Sequence, residues 1–286
     1  MSAQAAEVKK TDAKKADIRT ASQAVTRWLL RVLGASMAIG LGIWLTYRTV
    51  EPRITASPHY NLDPRSITVT PQPAWIHSDV KGEVLRDGSL DHSLNLLDES
   101  LLERVAKAFA LHPWVAQVTS VRKRAGPELE VQLVYRRPAC MVEVPGGLYP
   151  VDAEGVLLPT ADFSSQDASH YPRLTGIQTV TEGPVGTRWQ DECVLGAAQI
   201  ATVLADDWTR LGLAQISPLS NPPPGSTGAT VFVLYTHQGA PIIWGTAGSN
   251  RDFEPGTDER LVRLKKIALS LHARNGSSPP IDLRTP

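Results

Sequence analysis

The sequence predicts an α+β protein carried on a single membrane-spanning helix, with two folded segments after it. Three observations carry this reading. The run Trp28–Tyr47 is apolar and about as long as the twenty or so helical residues that span a bilayer. Between Leu101 and Pro138 the hydrophobic period changes from helical to alternating across a Gly126-Pro127 turn. From Leu148 onward, short alternating runs and turn signals are interleaved with two amphipathic helices, as in a mixed α/β domain.

Residues 1–27 are polar, rich in Ala and Lys, and without apolar periodicity, and they read as a cytoplasmic tail. In the apolar run that follows, Trp28, Trp44 and Tyr47 sit near the ends, where aromatic belts form, and Arg31 is close enough to one end to snorkel to the head groups. The excess of Lys and Arg precedes the run, which keeps the N-terminus in the cytoplasm and sends everything after Arg48 to the other side. A cleaved signal peptide fits less well, because the preceding polar region is long and no small-x-small site follows. A buried helix of a soluble domain would show a polar face, and this run has none beyond Arg31. Residues 48–65 form a proline-punctuated linker, stiff and extended.

The segment 66–138 is the first folded domain. Ile67 and Val69 alternate with polar neighbours in a short strand over Ser66–Thr70, and Trp75–Leu85 reads as a short helix. Leu101, Leu102, Val105 and Phe109 fall at helical spacing, with Glu103, Arg104 and Lys107 on the other side. Asp98 or Ser100 caps that helix, Ser100 and Glu103 having capping-box spacing, and Pro113 ends it. A basic strand over Val121–Arg124 leads to the turn, and Leu129, Val131, Leu133 and Tyr135 alternate in the strand after it. The order is strand, helix, helix, strand, strand, with the helices expected on one face of a small sheet.

The segment 139–286 is the second domain. A strand around Cys140–Val144 turns at Pro145–Gly147, and a hairpin follows with its turn at Asp152–Gly155. Asp162–His170 reads as a polar surface loop. Glu192–Leu204 is helical with a broad apolar face. Asn221–Gly228 and Gly248–Thr257 are loops around the short strands Val231–Tyr235 and Ile242–Trp244. Asp258–Ala273 is a second amphipathic helix, with Leu261, Leu264, Ala268 and Leu271 inward and Arg260, Arg263, Lys266 and Arg274 elsewhere.

Composition and motifs point away from catalysis. The 286 residues carry 29 basic and 29 acidic side chains, which gives no reason to expect nucleic acid. There is no Walker loop, GxGxxG, GxSxG or HExxH, so no catalytic residue, cofactor or small-molecule substrate is assigned. None of the seven histidines pairs with another at metal-ligand spacing, so no metal site is assigned. His112, before Pro113, reads as a helix-end cap or surface residue, and Asp206-Asp207 as a solvated helix end. Arg122, Lys123, Arg124, Arg136 and Arg137 gather five positive charges near the hairpin ends, either as a patch for an acidic partner or lipid or as sheet-edge charges that discourage aggregation. Cys140 and Cys193 form no metal motif, and a disulfide and two free thiols both remain open.

The order of several weak motifs resembles the FtsQ/DivIB family of bacterial cell-division proteins. These are HPWV (His112–Val115) after a helix, the basic strand, the Pro127 turn, RRPA (Arg136–Ala139), VDAEGV (Val151–Val156), LTG (Leu174–Gly176), IIWG (Ile242–Gly245) and IDLR (Ile281–Arg284). The resemblance implies a short cytoplasmic tail, one membrane helix, a POTRA domain over 66–138 and an FtsQ-type β domain over 139–286. Two departures stand out. The proline-rich segment before the POTRA helix is long, and the chain stops two residues after Arg284, where the family continues into a strand that offers its edge to a partner. Partner contact is therefore carried over only to Arg284. The function implied is a non-enzymatic bitopic scaffold at the inner membrane and division site. It would bind other bitopic division proteins, FtsB/FtsL-like, by strand addition, with membrane lipid around residues 28–47. The alternative is a POTRA-type protein-binding module in another envelope assembly or export process.

Overall fold

Leu101, Val105 and Phe109 have no exposed surface, so the helical spacing read from the sequence is the buried face of α3 (Leu101–Ala110). The structure, a computed structural model, describes residues 33–48, 60–181, 183–219, 230–248, 255–271 and 273–284. The tail expected over residues 1–27, the Asn221–Gly228 loop and most of the Gly248–Thr257 loop lie outside the described residues. The chain divides into Met1–Asn61 and Leu62–Pro286.

In the first unit, residues 33–48 form a helix, α1, exposed along its length. Among the described residues no helix is long and apolar enough to cross a membrane. Ser36 and Thr46 return their hydroxyls to the carbonyls of Leu33 and Gly42 in the preceding turn, so neither presents an unsatisfied donor. A two-residue strand, β1 (Asn61–Leu62), stands at the unit boundary.

The second unit is mixed α+β and holds two sheets with two hydrophobic cores. The smaller has β2 (Ile67–Val69) parallel to β5 (Leu129–Tyr135), which is antiparallel to β4 (Val115–Lys123). Between β2 and β4 come α2 (Val80–Asp87), a two-residue strand β3 (Leu94–Asn95), and α3. Leu129, Val131 and Leu133 of β5 are buried beneath α2 and α3, while Gln132 and Val134 point out. Two expectations are corrected here. The helix expected over Trp75–Leu85 starts only at Val80, because the Asp79 carboxylate accepts the Gly82 N–H at 3.0 Å and sets the N-cap there. Ser100 makes no side-chain cap. Instead Asp98 Oδ1 accepts both the Ser100 N–H (2.9 Å) and its hydroxyl (2.7 Å), which occupies the group a capping box would use.

The larger sheet has seven strands, ordered β12-β11-β10-β9-β8-β6-β7. These are β6 (Pro138–Val144), β7 (Gly147–Asp152), β8 (Arg173–Leu174), β9 (Leu213–Pro218), β10 (Val231–Thr236), β11 (Pro241–Thr246) and β12 (Ile281–Asp282). Two antiparallel groups, β6-β7 and β9-β10-β11, meet at the two-residue β8, which runs parallel to β6 and β9 on either side. The helix α5 (Glu192–Leu204) lies over this seam and buries Val194, Ala197, Ala198, Ile200, Ala201 and Leu204 into the core. Cys140 and Cys193 are both free thiols. Burial pushes Cys140 up to about 12, so it stays protonated at neutral pH.

Three further expectations change. The Asp162–His170 loop contains a 3-10 turn at Thr160–Asp162 and a short helix, α4 (Ser165–Ser169), closed by a capping box between Ser164 and Asp167. The helix expected over Asp258–Ala273 splits into α6 (Thr257–Lys266) and α7 (Ala268–Leu271) at Ile267, whose N–H closes the first segment on Arg263 and Lys265. Arg260, expected outside, is buried at 1% exposure. It donates to the carbonyls of Trp244 (2.9 Å) and Thr246 (3.1 Å), with its guanidinium 5.1 Å from the Trp244 ring centroid.

Candidate functional site

The C-terminal motif Ile281–Arg284 forms the outer end of the large sheet. Ile281 and Asp282 pair in parallel with Ile242 and Ile243, and the Leu283 N–H continues the ladder to the Ile243 carbonyl at 3.0 Å. Leu283 is buried in the core and ties the strand down. The Arg284 guanidinium turns back on Asp282, with its Nη2 2.6 Å from Oδ2 and its Nε 3.0 Å from Oδ1. This pair holds the Asp282 carboxyl below the usual carboxylate range. Arg284, the residue assigned to partner contact, is therefore anchored within its own strand segment, on the last strand of the sheet.

The five hairpin cations do not gather into one patch. Arg136 is largely buried and bonds Asp152 Oδ2 at 2.6 Å. That carboxylate also accepts the N–H groups of Glu154 (3.0 Å) and Val156 (2.8 Å), which shapes the turn at Asp152–Gly155. Arg124 pairs with Glu130 on the neighbouring strand at 2.5 Å. Lys123 donates to the Leu96 carbonyl. Arg122 and Arg137 are exposed, and the sheet-edge reading fits these placements.

Asp207 is not a solvated helix end. It bonds Lys265 of α6 at 2.6 Å and also Arg210, and these cations hold its carboxyl below the usual range, Lys265 first. Asp206 remains exposed. His112 is likewise buried and not a surface cap. Its Nε2 lies 3.1 Å from Glu83 Oε2, and its Nδ1 accepts the Trp114 N–H at 3.2 Å. Among the described residues no group of three or more His, Cys, Asp or Glu could hold a metal ion.

One residue that sequence reasoning missed sits where the two cores meet. Asp162 is buried, and it accepts the His77 N–H (3.1 Å), the Ser78 N–H (2.6 Å), the Ser78 hydroxyl (3.0 Å) and the Trp114 indole N–H (2.6 Å). Its neighbours Leu158 and Phe163 join the core of the small sheet, Phe163 with its ring 6.0 Å from Trp114. The apolar residues on either side of Pro159–Asp162 were the available signal that this stretch turns inward.

No family model matches the chain. The FtsQ cell division protein of Anaeromyxobacter sp. (strain K) is 32% identical over 187 residues, which is 64% of this chain and 54% of that protein. The aligned part thus spans about half the length of the curated relative. Taken with the ordered motifs and the mixed α+β fold, this similarity supports the resemblance to the FtsQ/DivIB family of cell division proteins.

Proposed function

We propose that the chain is a non-enzymatic, single-span scaffold of the cell-division machinery, with its N-terminus in the cytoplasm and residues 62–286 beyond the membrane. The 32% identity to a cell division protein carries this reading. The anchor is supported by the apolar run Trp28–Tyr47 and by the exposure of Leu33, Met37, Ile39, Leu41 and Ile43 on α1, which leaves apolar side chains facing whatever surrounds the helix. We read residues 66–138 as the POTRA domain and 139–286 as the β domain.

Partners are other bitopic division proteins, FtsB/FtsL-like, taken up by strand addition at the β12 end of the large sheet. Main-chain hydrogen bonds would supply affinity there and Arg284 would flank the docked strand. A fluorescent fusion on the cytoplasmic N-terminus in dividing cells tests the role, with enrichment at the division site expected. Uniform membrane distribution through the whole cycle sinks it. Co-purification then tests the edge: Arg284→Ala should lower recovery of the partner several-fold, and unchanged recovery moves the contact elsewhere.

A further inference from the structure

The two sheets are joined covalently by only Arg136 and Arg137, between the end of β5 at Tyr135 and the start of β6 at Pro138. A link this short bends readily unless something braces it. Arg136 is braced, by Asp152 on one side and by the Trp75 indole, which donates to its carbonyl at 3.1 Å. A second connection lies across the junction at Asp162. Both of its carboxylate oxygens are engaged: Oδ1 takes the N–H groups of His77 and Ser78, and Oδ2 takes the Ser78 hydroxyl and the Trp114 indole. All four donors belong to the small-sheet unit, and the acceptor follows the hairpin of the large sheet.

The bonds continue inward. The Trp114 N–H donates to His112 Nδ1, so the His112 hydrogen is assigned to Nε2, facing Glu83 of α2. Ser78 lies just before the Asp79 cap of that same helix. The polar connection therefore closes a ring through α2, the end of α3, the start of β4 and the Asp162 turn. The backbone comes equally close nearby, since a Cβ on Gly186 would stand 3.4 Å from the Cα of Pro113.

We propose that Asp162 is a clasp that fixes the small sheet and the seven-stranded sheet in one orientation, so that the part of the chain beyond residue 62 acts as a single rigid body. A buried carboxylate satisfied by four donors holds its neighbours in one geometry, because losing a bond leaves a desolvated polar group behind. The clasp does not depend on the division role proposed above. Its test reads geometry in the purified full-length chain and not cell position, so either reading can fail alone.

The test is a distance distribution between spin labels placed at Lys107→Cys on α3 and Asp206→Cys beyond α5, both exposed sites. It is measured by pulsed dipolar spectroscopy on the full chain in lipid nanodiscs, in a Cys193→Ser background, with Cys140 protected by burial. The parent should give one narrow distance. Asp162→Asn keeps the volume but turns an amide donor toward donors, and should broaden the distribution at least two-fold. Ser78→Ala and Trp114→Phe each remove one bond and should broaden it less. If Asp162→Asn fails to fold, the other two variants decide. Parent-like widths in every variant that folds overturn the clasp.

Discussion

The two sheets of the second unit solve the same burial problem with different joints between their strands. The small sheet is built from neighbours, since α3, β4 and β5 follow one another and β5 buries one set of alternate residues under the helices. Its other face is polar, with Thr68, Thr119, Glu130 and Gln132 bordering an open groove. The large sheet joins two groups of chain neighbours, β6-β7 and β9-β10-β11, which meet through two residues, Arg173 and Leu174. What spans that seam is α5, packed over β6 and β9. Each sheet thus adds long-range closure to local pairs: β2 on β5 in the small one, and β8 between two distant strand groups in the large one, where α5 braces the joint.

The hardest blow to that contrast is Phe109→Ala. Phe109 is fully buried in the small core, so its truncation should cost about 3–5 kcal/mol. Denaturant melts of the full chain, read by amide exchange, should show lost protection in β5 while β10 keeps most of its own. Equal loss in both sheets would mean that the two cores melt as one unit. A cost below about 1 kcal/mol would mean that the buried face of α3 is misassigned.

The matching perturbation of the large core is Gly196→Ala. Gly196 lies on α5 where the helix meets β10, and a Cβ there would stand 2.8 Å from a Phe232 ring carbon and 2.9 Å from the Ala247 Cβ. Overpacking of this kind costs about 1–3 kcal/mol. The expected exchange pattern is the reverse of the first, with β10 losing protection and β5 keeping it. A neutral result would show that the seam has slack, and that α5 does not hold the two strand groups tightly.

The same contrast explains what could be read from the residues. The small sheet was legible almost strand by strand, because its helical and alternating periods sit inside continuous segments such as Leu101–Phe109 and Leu129–Tyr135. In the large sheet α5 was legible for the same reason. β9 was not. Opposite β10 its register slips between Tyr235 and Thr236, so Leu213 and Ile216 are both buried at a spacing of three and the alternation is broken. Arg260 was read as outward because it is charged, yet its acceptors, the carbonyls of Trp244 and Thr246, come from a strand beyond a loop and leave no local trace. Asp162 was invisible in the same way, since its four donors lie at His77, Ser78 and Trp114. At the C-terminal end, IDLR was legible as a motif, while the turn of Arg284 onto Asp282 is a matter of side-chain geometry.

The smallest expected effect comes from the polar tie between α6 and the segment after α5. Lys265 and Arg210 hold the Asp207 carboxyl below its ordinary 3.8, so the ionised form is favoured in the folded chain. A lowered folded pKa means that this contribution is present above the unfolded value and is lost as pH falls through the folded one. Asp207 is nearly buried, but Lys265 and Arg210 are well exposed, so water screens the attraction and the pair contributes about 1 kcal/mol or less. Asp207→Asn should lower the melting temperature slightly at pH 7, and the difference should shrink as pH falls through and below the ordinary carboxylate range. Melting curves of the two chains should therefore converge on acidification. A gap that does not shrink on acidification would mean that Asp207 acts through packing, and that α6 is held to the large sheet by shape and not by charge.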